Sequence, residues 1–126
     1  FDINDFDVSF ARGLSLEDGA ATLTDFTAAI IGSTLTSNLS NSENKISRVL
    51  VCGGGRKNSV LIEKIRKNTL LDLIIQSIDN YGIDGDYVES QAFAFLAIRS
   101  FKKLPISFPD TTGCIKPVSG GEFVKY

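Results

Sequence analysis

Apolar and polar positions along this chain fall into blocks of different period, and the periods predict the elements. After Ser15, the apolar positions Leu16, Ala20, Leu23, Phe26, Ile30, Ile31 and Leu35 recur at helical spacing, predicting a long amphipathic helix from Leu16 to Ser37. Ser15 and Asp18 at its start have the spacing of a capping box. Before it, Phe1 to Leu14 mixes large apolar groups with Asp, Asn and Ser, an irregular lead-in or one short helix. After it, the Asn- and Ser-rich run Ser37 to Lys45 reads as a surface loop. Ile46 to Cys52 then carries an apolar run with the character of a strand covered on both faces. Gly53, Gly54 and Gly55 end it abruptly, and Asn58 to Lys67 follows as a helix with Val60, Leu61, Ile62 and Ile65 facing inward. A second strand falls near Asp72 to Ser77, so strand, helix and strand imply a right-handed crossover and a parallel pair. Asp79 to Gly85 is a turn rich in residues that tolerate unusual backbone angles. From Asp86 to Phe101 a third helix is apolar nearly all round between Ala92 and Ile98, which predicts burial between other elements. Lys103 to Tyr126 holds all three prolines and reads as mostly irregular.

The expected class is therefore α/β, a single domain over residues 1–126. Composition supports a globular chain, with 43% hydrophobic and 22% charged residues. A net charge of -2 gives no electrostatic ground for nucleic acid or an anionic membrane as a partner. The longest strongly apolar segment, Ala92 to Ile98, is too short to span a bilayer, and no secretory leader opens the chain, so a cytoplasmic location is expected. Cys52 and Cys114 are the two cysteines, with Cys52 expected to pack at the end of its strand and no disulfide expected. With no His and no CxxC spacing, imidazole bases, His-ligated zinc and Ser-His or Cys-His pairs are excluded within the chain. The chain has no Met and starts in mid-pattern at Phe1, which points to a fragment.

Candidate chemistry concentrates at the glycine turn. Three glycines remove every β-carbon, so a ligand can approach peptide N–H groups directly, and the following helix directs its own first N–H groups there. Gly53, Gly54, Gly55 and Asn58 form G-x-G-x-x-N, close to a dinucleotide fingerprint but with Asn in place of its third small residue. Asp79 is the best acid for ribose hydroxyls, although later than that fingerprint wants. A tight strand-to-helix connection with no ligand remains the plain alternative. No Walker pattern is present. Asp86 and Glu89 lie on one face at the start of the third helix, where Asp as N-cap and Glu at N3 would form a reciprocal cap; carboxylates there can also accept from sugar hydroxyls. Tyr81 and Asn80 lie beside them in the preceding turn. Arg56 and Lys57 are candidates for phosphate contact, against the ordinary reading of solvated charges.

Read together, Val51-Cys52-Gly53-Gly54-Gly55-x-x-Asn58, Tyr81-Gly82-Ile83-x-Gly85-Asp86-x-Val88-Glu89-x-Gln91-Ala92-Phe93-Ala94-Phe95-Leu96-Ala97, Leu104-Pro105 and Thr112-Gly113 resemble the C-terminal part of the anhydro-N-acetylmuramic acid kinase family. The resemblance extends over nearly the whole chain and is strongest from Val49 to Thr112. It implies part of the second domain of a ribonuclease-H-like, actin-like ATPase fold. It further implies transfer of the ATP γ-phosphate to O6 of 1,6-anhydro-N-acetylmuramic acid while water opens the anhydro ring, in cell-wall (peptidoglycan) recycling. By position, Gly53, Gly54, Gly55 and Asn58 would bind ATP, Asp86 and Glu89 would face the sugar, and Mg²⁺ would act in the complete kinase. Asp84 and Ser90 stand where the family often has Pro and Ala. The family's Gly-Thr-Ser-x-Asp-Gly phosphate loop and its Asp-Thr-Gly-Pro-Gly-Asn stretch have no counterpart here, so this chain is expected to lack the N-terminal lobe and not to turn over alone.

Two other classes compete with that reading. One is a free-standing noncatalytic module for nucleotide binding or assembly; the other is a small dinucleotide-binding oxidoreductase domain, which the missing third glycine disfavours. A third helix left without its mate would expose apolar surface, so the chain is expected to form a homo-oligomer.

Overall fold

The computed structural model describes residues 5–40 and 47–124, and the chain divides after Gly85 into two compact units. Near the start of the first unit lies a 3-10 turn at Ser9–Ala11, and the Phe6 and Phe10 rings meet Phe26 at 5.9 and 5.2 Å. Helix α1 (Leu16–Ser40) starts at Ser15, whose hydroxyl accepts from the Asp18 N–H at 3.0 Å, the forward half of the expected capping box. It continues three residues beyond Ser37 because its hydroxyls are satisfied within the helix. Thr36 Oγ1 donates to the Gly32 carbonyl at 2.9 Å and Ser40 Oγ to the Thr36 carbonyl at 2.6 Å, removing their competition for other backbone groups. The rest of the predicted loop, with Ile46, lies outside the described residues, as do Phe1 to Asn4 and the last two residues.

Strand β1 (Arg48–Val51), helix α2 (Ser59–Asn68) and strand β2 (Ile74–Ser77) form the expected β-α-β unit. The strands pair in parallel, with Arg48 opposite Ile74 and Val51 opposite Ser77. Ala28 of α1, Ile65 of α2 and Ile75 of β2 form the buried centre, surrounded by Ile31, Leu35, Val49, Val51, Leu61, Ile62 and Leu73. One face of the pair is covered among the described residues, not both: Leu50 and Ile74, which alternate with the core positions, are exposed. Val60, expected to face inward, is also exposed, because it falls outside the stripe made by Leu61, Ile62 and Ile65.

The second unit consists of α3 (Val88–Phe101), a one-turn α4 (Pro109–Thr112) and connecting chain, with one antiparallel bridge between Ser107 and Val118. The tail is mostly irregular, as its prolines indicate. Arg99 fastens it to α3 by donating from Nε to the Pro105 carbonyl at 2.6 Å, with its guanidinium 5.5 Å from the Phe95 ring centre and 5.9 Å from that of Phe108. The expectation that α3 is buried does not hold: no residue of α3 is buried, and Phe93 is 64% and Phe101 71% exposed. Within this unit the tail covers one side only, where Leu96, Arg99 and Ser100 are half-buried. No described helix is long and apolar enough to cross a membrane.

Candidate functional site

Because β1 and β2 are parallel and end in register at Val51 and Ser77, the turns that follow them emerge at the same edge. In α/β sheets that carboxyl edge is where ligands bind. Gly53 N–H donates to the Gly85 carbonyl at 2.9 Å, joining the two turns. Gly53 has φ +77° and ψ 175°, a conformation that a side chain would strain, and the chain then tightens into a 3-10 turn over Gly54–Lys57. A β-carbon on Gly53 or Gly54 would meet nothing within 4 Å, and one on Gly55 would touch Leu61 Cδ2 at 3.7 Å. The turn is therefore bare backbone facing open space. Asn58 closes it as N-cap of α2, its Oδ1 accepting from the Leu61 N–H at 3.0 Å.

Arg56 is the residue that sequence reasoning misplaced. It is neither solvated nor aimed outward as a lone cation; its side chain is 5% exposed. Nε donates to Asp79 Oδ2 at 2.7 Å, one terminal nitrogen to Asp79 Oδ1 at 3.1 Å and the other to the Gly53 carbonyl at 2.9 Å. Asp84 lies 3.9 Å from the guanidinium. Asp79 Oδ1 also accepts from the Gly85 N–H at 2.8 Å, and Asp79 Oδ2 from the Ser77 hydroxyl at 2.7 Å. The Arg56 hydrogen bond first, then those from Ser77 and Gly85, hold the Asp79 carboxyl far below the usual carboxylate range. Gly85 is buried, and a β-carbon there would lie 2.4 Å from Arg56 Nε. The sequence did contain a signal for this pair: each residue lies just past the end of one of two parallel neighbours, and opposite charges there fall within reach.

Asp79 is thus an anchor between turns, with both carboxylate oxygens engaged, and not an acid presented to ribose. Tyr81 braces β2, its hydroxyl donating to Gln76 Oε1 at 2.9 Å. Cys52, expected to pack, is exposed, and both cysteines are free thiols. Gly53, Gly54, Gly55 and Asn58 are brought together in the first unit. Asp86 and Glu89 belong to the second, where both are exposed. The N-cap position expected of Asp86 falls one residue later. Tyr87 is the N-cap of α3 with no side-chain cap bond, because residues 85–87 already form a turn and Tyr87 is helical in backbone (φ -104°, ψ -3°), whereas a capping side chain needs an extended residue.

Among the described residues no group of three His, Cys, Asp or Glu side chains is placed to hold a metal ion, so no Mg²⁺ ligand is assigned here. The glycine turn does fit a phosphate-bearing nucleotide, since its backbone is unshielded and α2 begins directly after it. Two apolar hollows, one along α1 at Phe6, Leu23, Phe26 and Ile30 and one along α3 at Phe93, Leu96, Ile106 and Phe123, are lined by none of the predicted ligand residues.

Comparison with known proteins agrees with the sequence pattern. The profile of the anhydro-N-acetylmuramic acid kinase family matches residues 4–125. The chain is 54% identical over 125 residues to the anhydro-N-acetylmuramic acid kinase of Pelagibacter ubique, covering 99% of this chain and 33% of that protein. It is 39% identical over 120 residues to the enzyme of the same name from Zymomonas mobilis and 41% over 120 residues to that of Brucella anthropi, covering 95% of this chain and 31% of each relative. The chain spans about a third of the length of these relatives.

Proposed function

The chain belongs to the anhydro-N-acetylmuramic acid kinase family, and on that premise we propose that it is the C-terminal, ATP- and sugar-binding lobe of a complete kinase with the ribonuclease-H-like, actin-like fold. The complete protein phosphorylates 1,6-anhydro-N-acetylmuramic acid: the γ-phosphoryl group goes to O6, water adds at C1, the C1–O6 bond breaks, and N-acetylmuramic acid 6-phosphate and ADP leave. It works in the cytoplasm in peptidoglycan recycling, as a homo-oligomer, a state that the exposed apolar side of α3 supports.

The observation that carries this reading is the bare turn at the carboxyl edge of the parallel pair. ATP with Mg²⁺ supplies the transferable phosphoryl group and neutralises its charge. Gly53, Gly54 and Gly55 admit the nucleotide by presenting backbone without side chains, and Asn58 fixes the start of α2 next to it. Asp86 and Glu89, exposed at the entry to α3, accept from sugar hydroxyls and orient them. Phosphoryl transfer needs groups positioned from both lobes, so the 126-residue chain alone is inactive.

The test is to express the complete reading frame and follow ADP release with 1,6-anhydro-N-acetylmuramic acid in ¹⁸O-labelled water. The expected product has gained one phosphoryl group on O6 and one labelled oxygen at C1, while the 126-residue chain releases no ADP. Nucleotide binding by the complete protein without sugar-dependent turnover would replace the kinase reading with that of a binding module.

A further inference from the structure

We infer that Arg56 is a positioning residue for the nucleotide: by tying the glycine turn to the Asp79–Gly85 turn it sets the conformation in which the bare backbone meets phosphate, and it does not itself contact the phosphate. This rests on the reading of Gly53, Gly54 and Gly55 as the ATP turn.

The geometry engages the Arg56 guanidinium within the protein. Its guanidinium is divided between both oxygens of Asp79 and the Gly53 carbonyl, and its side chain is 95% covered, the complement of its 5% exposure. The planar fork of arginine meets a carboxylate with two parallel bonds, a fit that lysine cannot reproduce. The carbonyl it holds belongs to Gly53, the residue at φ +77° where the chain leaves the strand direction. The same residue's N–H is held by the Gly85 carbonyl, and the Gly85 N–H by Asp79. Both ends of the Gly53 peptide environment are thus fixed to one neighbouring turn, and the bond network closes only when Arg56 lies over Gly85, a packing that leaves no room for a β-carbon. A formal positive charge beside a phosphate site ordinarily suggests direct contact. Here the charge is already neutralised by Asp79, with Asp84 close by, so attraction for phosphate falls to the backbone dipoles.

Four variants of the complete protein test this, with ADP and 1,6-anhydro-N-acetylmuramic acid binding measured by calorimetry: Arg56→Ala, Arg56→Lys, Asp79→Asn and Gly85→Ala. Gly85→Ala displaces the guanidinium without removing any charge. The expected result is that all four weaken ADP by about tenfold or more, as small misplacements do, with sugar affinity unchanged within about twofold. Backbone hydrogen exchange over residues 53–57 should rise in the variants while α1 keeps its protection. Tightening of ADP by Asp79→Asn alongside weakening by Arg56→Ala would mean that Arg56 binds phosphate directly, and would overturn the inference. So would equal loss of both ligands with a general fall in thermal stability, or no loss at all in Arg56→Ala. Failure of the unaltered protein to bind ADP would instead reject the nucleotide reading of the turn. If Arg56→Ala does not fold, Arg56→Lys and Gly85→Ala carry the same comparison.

Discussion

Gly32 marks a close approach of α1 to the end of α2, and a single methyl group there tests how the first unit is closed. An added β-carbon would stand 2.7 Å from Asn68 Cβ and 2.8 Å from both the carbonyl carbon and the oxygen of Asn68. Two of those atoms are backbone at the last residue of α2, so no rotamer change relieves them; the helices must separate. Overpacking of this kind costs about 1–3 kcal/mol, and a backbone clash belongs near the upper end. Alanine's better helix propensity returns about 1 kcal/mol. Gly32→Ala should therefore destabilise by about 2 kcal/mol net. Gly19 supplies the control in the same helix, since its added β-carbon would meet Leu14 Cβ at 4.0 Å, an ordinary contact. Gly19→Ala should gain up to about 1 kcal/mol. Urea unfolding followed by far-ultraviolet circular dichroism should move the two midpoints in opposite directions. If Gly32→Ala shifts the midpoint upward with Gly19→Ala, the close crossing is wrong, and so is the account of how α1 covers Ile65 and Ile75.

Ile75→Ala, at a side chain only 2% exposed, should cost about 3 kcal/mol by the same unfolding assay. Asn58→Ala should cost about 1 kcal/mol through loss of the α2 cap, with Asn58→Asp close to the parent; equal losses in both would place the effect elsewhere. Asp79 has a folded-state pKa lowered chiefly by Arg56, so its contribution to stability is full above its unfolded value of about 4 and is lost as pH falls through the range below. Carboxyl-carbon NMR should show Asp79 still ionised below the usual carboxylate range, and the stability gap between the parent and Asp79→Asn should narrow on acidification. Light scattering of the 126-residue chain should show self-association, diminished by Phe93→Ser and Phe101→Ser; a strict monomer at high concentration would refute it.

The β-α-β unit was legible in the sequence because its signals are local. The apolar run into Gly53, the period of Leu61, Ile62 and Ile65, and Asn58 at the cap position each act within a few residues. What was not legible depends on neighbours that a one-dimensional pattern does not name. Asp86 and Glu89 have the spacing of a reciprocal cap, but the backbone of Tyr87 is already helical, and that angle is set by the turn before it. An all-round apolar α3 predicts burial, whereas hydrophobicity reports what a helix can be packed against and not whether the packing lies within these residues. Cys52 and Leu50 read the same way, and both are exposed: among the described residues the strand pair carries helices on one side, and Cys52 lies just past its end. The candidate site divides along the same line: the glycine turn was visible as a motif, while the lock between Arg56 and Asp79 requires the parallel register to be known.

That lock resolves a conflict built into any run of glycines at a binding edge. Glycine admits a ligand to the backbone because it lacks a side chain, and for the same reason an unbound glycine turn samples many conformations, so that ordering it opposes binding. Arg56 separates the two properties. Its side chain lies within the fold and leaves open space beside Gly53 and Gly54, yet its bonds to Asp79 and to the Gly53 carbonyl order the turn as the chain folds, before any ligand arrives. An aspartate following β2 and an arginine following β1 are what parallel pairing supplies at one edge, and the buried Gly85 is what lets them meet. On the proposed reading of this turn, the surface offered to phosphate is both unshielded and already shaped, and its affinity should depend on residues that never touch the ligand.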